Sequence, residues 1–194
     1  MQLKRDDALA LMHEYTQNEN LRRHMYAVEA AMRAYARKVG ANEELWGITG
    51  LLHDFDYERW PNDEHKADDE HPVTGVGILR DKGYPEEMLQ AILGHAEYTG
   101  VARESPLAKT LFAVDELVGF LTACALVRPN GISDLKVKSV KKKFKDSSFA
   151  RGVNRADVDK GVAELGVEFS EHVQLAIDAM REIQQQLGLA GSDN

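Results

Sequence analysis

The most apolar stretch of the chain is PLAKTLFAVDELVGFLTACALV, residues 106–127. Pro106 suits the first turn of a helix, and Pro129-Asn130-Gly131 ends the run, so the stretch predicts a long apolar helix. Asp115 breaks this pattern. Its neighbours at three and four residues are Leu111, Phe112, Val118 and Gly119, which places it on the inward face. A buried carboxylate is costly unless a cation or several donors meet it, so Asp115 indicates a binding site.

Helical periodicity continues on both sides of this stretch, without a convincing alternating strand pattern. Further helices are predicted over residues 5–17, 19–39, 43–53, 71–82, 85–97, 134–145, 155–165 and 170–187. The polar segment 55–70 predicts a surface loop. The sequence therefore predicts the all-α class, as one domain of about eight helices over 1–190. Its motif-bearing core spans about 20–125, and its C-terminal helices span 134–187.

Composition limits the classes of function. The chain has 194 residues, 43% apolar and 29% charged, which is typical of a soluble domain. A net charge of −8 argues against general nucleic-acid binding, because a duplex attracts a basic surface. We expect no membrane span and no signal peptide, and hence a cytoplasmic protein; the oligomeric state is left open. The single cysteine, Cys124, lies in the apolar run and is expected to be a buried thiol.

Histidines also occupy apolar helix faces. His24 shares a face with Leu21 and Val28, and His95 follows Ala91 and Ile92 at the same spacings. His53-Asp54 ends an apolar helix, where both side chains can close on one ion. Each residue alone has an ordinary explanation as a hydrogen-bonded core group. Together, imidazole and carboxylate groups from separate helices predict a divalent metal site, with Mn, Fe, Zn, Mg, Co and Ni not distinguished.

The segments around these residues resemble the HD superfamily of metal-dependent phosphohydrolases. They are RRHMYAVEAAM around His24, GLLHDFDYERW around His53-Asp54, and LFAVDELVGF around Asp115. The resemblance covers about residues 20–125 and implies a metal held by His24, His53, Asp54 and Asp115.

Two further segments, EHPVTGVGILRDKGYP and AILGHAEYTG, resemble those of HD proteins with two metals. They imply that His71 and His95 bind a second ion and that Asp54 bridges the pair. In the alternative, one ion is bound, and His71 or His95 binds substrate or acts as a general acid. Asp54, His71 and His95 are the predicted catalytic residues.

The resemblance implies hydrolysis of a small phosphorylated substrate by a metal-activated water. A phosphomonoester or phosphodiester, such as a nucleotide, fits this chemistry. Asp56 and Glu58, just past the His-Asp pair, are either partners of the ligands or solvated loop carboxylates. Two other functions stay open: a two-iron oxygenase of the HD type, and a non-catalytic binding module that keeps its metal.

Basic groups could recognise the phosphate. Arg22 and Arg23 flank His24, while Arg128 and Lys109 are weaker candidates. Six lysines within Lys136–Lys145 form a basic segment that either attracts an anion or is a solvated helix face. The remaining histidines are expected at the surface, outside the metal site: His13, His65 and His172.

Overall fold

The computed structural model describes residues 3–191, so residues 1 and 2 of the predicted domain lie outside it. In this range the regular elements are helices, and the all-α prediction is confirmed. The ten α-helices are α1 (Arg5–Tyr15), α2 (Glu19–Val39), α3 (Glu43–Leu52), α4 (Val73–Asp81), α5 (Glu86–His95), α6 (Pro106–Leu126), α7 (Val137–Phe144), α8 (Arg155–Leu165), α9 (Phe169–Glu182) and α10 (Gln184–Leu187).

The helix boundaries follow from local capping. Asn18 and Asn42 precede α2 and α3, and their side chains accept hydrogen bonds from backbone N–H groups of the first turn. Ser105 caps α6 in the same way, with Pro106 at its first position. The predicted helix 170–187 is in fact two, α9 and α10, because the backbone leaves the helical conformation at Ile183.

Helix α6 lies at the centre of the molecule, in contact with α2, α5, α8 and α9. Val114, Leu117 and Leu121 on α6 are fully buried in the common core. Cys124 is buried as well, which confirms its predicted environment, and burial raises the pKa of its thiol to about 11. In residues 3–191, none of the helices is long and apolar enough to cross a membrane.

The surface position expected for His172 is wrong, whereas His13 and His65 are exposed as predicted. His172 is fully buried on α9. Its Nε2–H donates to the carbonyl of Ala113 at 2.8 Å, and its Nδ1 accepts the hydroxyl of Tyr35 at 2.6 Å. The ring therefore joins α9 to α2 and α6 in its neutral form.

This buried ring predicts a loss of stability in acid. Burial lowers the pKa of His172 from 6.5 to about 4, so the unfolded chain binds a proton that the folded protein excludes. The contribution is complete above pH 6.5 and declines as the pH falls towards 4. At pH 5 it amounts to a loss of about 2 kcal/mol, at ~1.4 kcal/mol for each pH unit. Urea unfolding at pH 7 and pH 5 measures it, and His172→Gln should show a smaller difference; an equal difference contradicts the assignment.

Candidate metal centre

Six side chains from five parts of the fold converge in one cleft. His24 lies on α2, Asp115 on α6, and His95 at the end of α5. His53 and Asp54 follow α3, and His71 precedes α4. Their donor atoms form two groups, each with all donor atoms within 4.8 Å of one another. Group 1 contains His24, His53 and Asp115, and group 2 contains Asp54, His71 and His95.

In group 1 the nitrogens of two histidines surround one carboxylate oxygen. The Oδ1 atom of Asp115 lies 2.9 Å from His24 Nε2 and 3.4 Å from His53 Nε2. Asp54 approaches the same group with Oδ2, at 3.3 Å from His53 Nε2 and 3.8 Å from His24 Nε2. Two imidazoles and two carboxylates thus face a common point.

Group 2 uses the other oxygen of Asp54. Its Oδ1 lies 3.4 Å from His71 Nε2 and 3.5 Å from His95 Nε2, and these two nitrogens are 3.3 Å apart. Asp54 therefore presents one carboxylate oxygen to each group. The resemblance implies a bridging position for Asp54, and that role stays a prediction.

The opposite nitrogen of each of three rings is held by an acceptor. Nδ1 of His53 donates to the Gly50 carbonyl at 2.8 Å, and Nδ1 of His95 donates to the Ile92 carbonyl. Nδ1 of His71 donates to Asp56 Oδ1 at 2.8 Å. Such partners select the tautomer in which Nε2 carries the lone pair, as a metal ligand requires.

An unpaired buried atom tests whether this donor set fits a metal. His53 is fully buried, and its Nε2 has no hydrogen-bond partner. A buried polar atom without a partner costs about 1–3 kcal/mol. A divalent cation at the common point would satisfy this nitrogen and neutralise the carboxylates around it, so the residues present fit a metal.

The electrostatics of the cleft also favour a cation. Burial alone lowers the pKa of His53, but the carboxylates of Asp54 and Asp115 outweigh it and hold this pKa well above its ordinary value. Burial alone raises the pKa of each carboxyl, and His53 outweighs it, so both pKa values lie well below their usual range. Both carboxylates are therefore ionised, the form in which they bind metals.

Of the two carboxylates predicted near the ligands, only Asp56 supports the site. It is buried, and its Oδ2 accepts the backbone N–H of Gly75 at 2.7 Å while its Oδ1 holds His71. Glu58 instead accepts the backbone N–H groups of Gln17 and Asn18, before α2. Of the two alternatives for Glu58, the structure therefore favours the exposed loop carboxylate over a partner of the ligands.

Five of the six converging residues, all except the fully buried His53, line a cavity of about 750 Å³. Aromatic side chains line part of it: Tyr57, and His65, whose ring stacks on Tyr98.

Glu116 also lines this cavity and was missed by the sequence analysis. Burial and the neighbouring Asp115 raise the pKa of Glu116 to about 7, and Glu116 accepts the Asn154 N–H at 3.1 Å. Its position next to Asp115 was the only sequence signal.

The predicted basic residues mostly lie elsewhere. Arg22 pairs with Glu19, and Arg128 pairs with Asp134. Lys109 lines a different cavity. None of the Lys136–Lys145 lysines lines the metal cavity. Arg23 remains a candidate for binding an anion near the metal centre, since it lines a smaller cavity together with His24.

Comparison with known proteins gives the family. No curated protein and no solved structure matches the chain. The model of the HD domain matches residues 21–118, about half of the chain and a range that contains all six converging residues. HD domains bind divalent metals, and the family consists mostly of metal-dependent hydrolases. The match and the helical fold together show that this chain belongs to the HD domain family.

Proposed function

We propose that this protein is a metal-dependent phosphohydrolase with a two-ion centre. His24, His53 and Asp115 would hold the first ion, and His71 and His95 the second. Asp54 would bridge the two. The observation that carries the proposal is the carboxylate of Asp54, which presents Oδ2 to the first group and Oδ1 to the second. A carboxylate between two imidazole groups is a suitable bridge between two divalent cations.

The geometry of group 2 favours ligands over a general acid. Nδ1 of His71 and Nδ1 of His95 are both engaged as donors, so their Nε2 lone pairs face each other at 3.3 Å. Two lone pairs at this distance repel unless a cation or a shared proton lies between them. The nearby Asp54 Oδ1 supplies a third donor atom for that cation. We therefore assign His71 and His95 as ligands of a second ion.

When bound, divalent ions lower the pKa of coordinated water and neutralise the charge of a phosphoryl group. The residues of the chain position these ions. Asp56 fixes the ring of His71, and the hydroxyl of Tyr98 donates to the His71 carbonyl at 3.0 Å. This second layer of hydrogen bonds keeps the ligand atoms aimed at the centre in the absence of substrate.

Metal analysis combined with a substrate panel tests the proposal. We expect about two ions per chain, and hydrolysis of p-nitrophenyl phosphate, bis-p-nitrophenyl phosphate or nucleoside monophosphates by protein loaded with Mn²⁺. Bound iron with oxygen consumption and no hydrolysis would indicate the oxygenase instead. Bound metal with neither activity would indicate a binding module.

The close approach of Gly75 to Asp56 gives a specific prediction. A Cβ atom at Gly75 would lie 2.5 Å from Asp56 Cγ, so Gly75→Ala must displace this carboxylate from His71. We expect the affinity for one of the two ions to fall by about 10- to 100-fold, the usual effect of losing a partner of a metal ligand. Gly77→Ala on the same helix is the matched control, because a Cβ there meets nothing within 4 Å. Calorimetric titration with Mn²⁺ measures both variants; equal affinities contradict the role of Asp56.

A further inference from the structure

A second, smaller cavity of about 300 Å³ adjoins the metal cavity, and the two share His24 and Gly119 in their walls. We call it the Arg23 subsite. Its lining residues are Asn20, Arg23, His24, Gly119, Thr122, Leu126, Leu187 and Leu189. A Cβ atom at Gly119 would meet nothing within 4 Å, so this glycine borders open space where the cavities meet.

Arg23 is the charged group of this subsite. The neighbouring Arg22 already has partners within the protein, since it pairs with Glu19 and donates to the Thr16 carbonyl. Arg23 has no ion-pair or hydrogen-bond partner among residues 3–191, and its guanidinium lies against Gly188. An Arg guanidinium is suited to bidentate recognition of a carboxylate or phosphate.

The metal cavity has the opposite charge. Carboxylates line it and neither Lys nor Arg does; the carboxylates are Asp54, Glu97, Asp115, Glu116 and Asp157. Bound cations would compensate for the carboxylates at the ligand positions but offer nothing to a distant anionic group. Such a group would find a cation in the adjoining Arg23 subsite.

Three leucines form the apolar part of the walls of the subsite. Leu187 and Leu189 are both buried and come from the C-terminal segment, beyond the region 21–118 that the family model covers. Leu126 lines the same cavity and is 68% exposed, so it adds an accessible apolar surface to the subsite. The subsite thus combines one cation with an apolar wall.

We propose that the Arg23 subsite binds a second oxyanion, a carboxylate or phosphate, at the far end of a short apolar chain that carries the reacting phosphoester. The substrate class is therefore a small phosphoester with two anionic ends. This assignment rests on the proposed function for the position of the phosphoester.

Matched esters test the subsite. Butyl phosphate, 4-phosphooxybutanoate, butane-1,4-diol bisphosphate and 4-aminobutyl phosphate differ only at the far end. We expect kcat/KM of the Mn²⁺-loaded protein to be about tenfold or more higher for an ester with a second anion than for butyl phosphate, as for a charge-assisted hydrogen bond. Comparison of the carboxylate with the bisphosphate identifies which oxyanion is preferred.

Variants separate recognition from structure. The ratio compares kcat/KM for an ester with a second anion with kcat/KM for butyl phosphate. Arg23→Gln should reduce this ratio to about 1, and Arg23→Lys should keep part of the wild-type ratio. Gly119→Leu should reduce the same ratio by filling the junction. Lys82→Gln removes an exposed charge that lines neither cavity, and Gly77→Leu adds a side chain to open space on α4, so both should keep the wild-type ratio.

Binding of non-hydrolysable phosphonates distinguishes failure of the two proposals. If no ester is hydrolysed, but 4-phosphonobutanoate binds more tightly than butylphosphonate in calorimetry and Arg23→Gln removes the difference, the subsite stands without the hydrolase. If esters are hydrolysed with equal kcat/KM, or 4-aminobutyl phosphate is preferred, the subsite is overturned and the hydrolase stands. A ratio that Arg23→Gln leaves unchanged also overturns the subsite.

Discussion

Replacing Asp54 with alanine is expected to remove both ions from the protein and to abolish phosphoester hydrolysis. No other described residue presents separate oxygens to both groups of histidines. Without Asp54, the Nε2 atoms of His53 and His71 both lose their nearest carboxylate oxygen. Bound ions would lower the pKa of the attacking water towards neutrality, and without them this pKa is far higher, so turnover should fall below about 1% of the wild-type value.

Elemental analysis of the purified variant measures the metal, and hydrolysis of p-nitrophenyl phosphate measures the activity. Asp68→Ala is the control, because Asp68 is an exposed carboxylate of the segment that follows Asp54, 55–70, and this variant should keep its metal. Circular dichroism checks that the Asp54 variant remains helical. If Asp54→Ala keeps its full metal content, the bridging role is wrong.

The second large effect is expected for His95→Ala, which should lose about half of the bound metal. His95 belongs to group 2, and its Nε2 contacts neither Asp115 nor His24. Group 1 keeps its own nitrogens and carboxylates, so the first ion should stay while the second is lost. Hydrolysis should fall strongly, because two ions stabilise the attacking and leaving oxygens together.

The ratio of metal to protein again provides the measurement. His65→Ala is a matched control for metal content, since His65 lines the same cavity but lies outside both groups. A wild-type protein with about one ion per chain, and a His95→Ala variant that retains it, would support the one-ion alternative. In that case His95 would be free to act on the substrate.

Local spacing was enough to find part of this centre. The helical period placed His24 and Asp115 on apolar faces, and the His53-Asp54 pair ended an apolar helix; the structure brings all four into one cleft. The helix positions were predicted from the same periodicity, and the caps that the structure shows at Asn18 and Ser105 also act within a single turn. Periodicity and capping are properties of one segment and can be read along the chain.

Other features depend on contacts between distant segments. His172 looked like a surface residue near the start of a helix, but Tyr35 and Ala113, 137 and 59 residues away in sequence, enclose it. Glu116 lines the cavity, where it accepts a backbone N–H from Asn154 just before α8. Arg22 and Arg23 are equivalent in sequence, and only their neighbours in space distinguish them.

The predicted metal ligands, Asp115 among them, also depend partly on local sequence and partly on tertiary contacts. The sequence by itself determined that a carboxylate on the apolar face of α6 needs a partner, because burial of an unpaired charge is costly wherever the helix packs. The tertiary structure decided that Asp54 faces two groups, and that Nε2 of His53, His71 and His95 are the atoms aimed at them. These distances are set by how α3, α5 and α6 pack together, and no single helix contains that information.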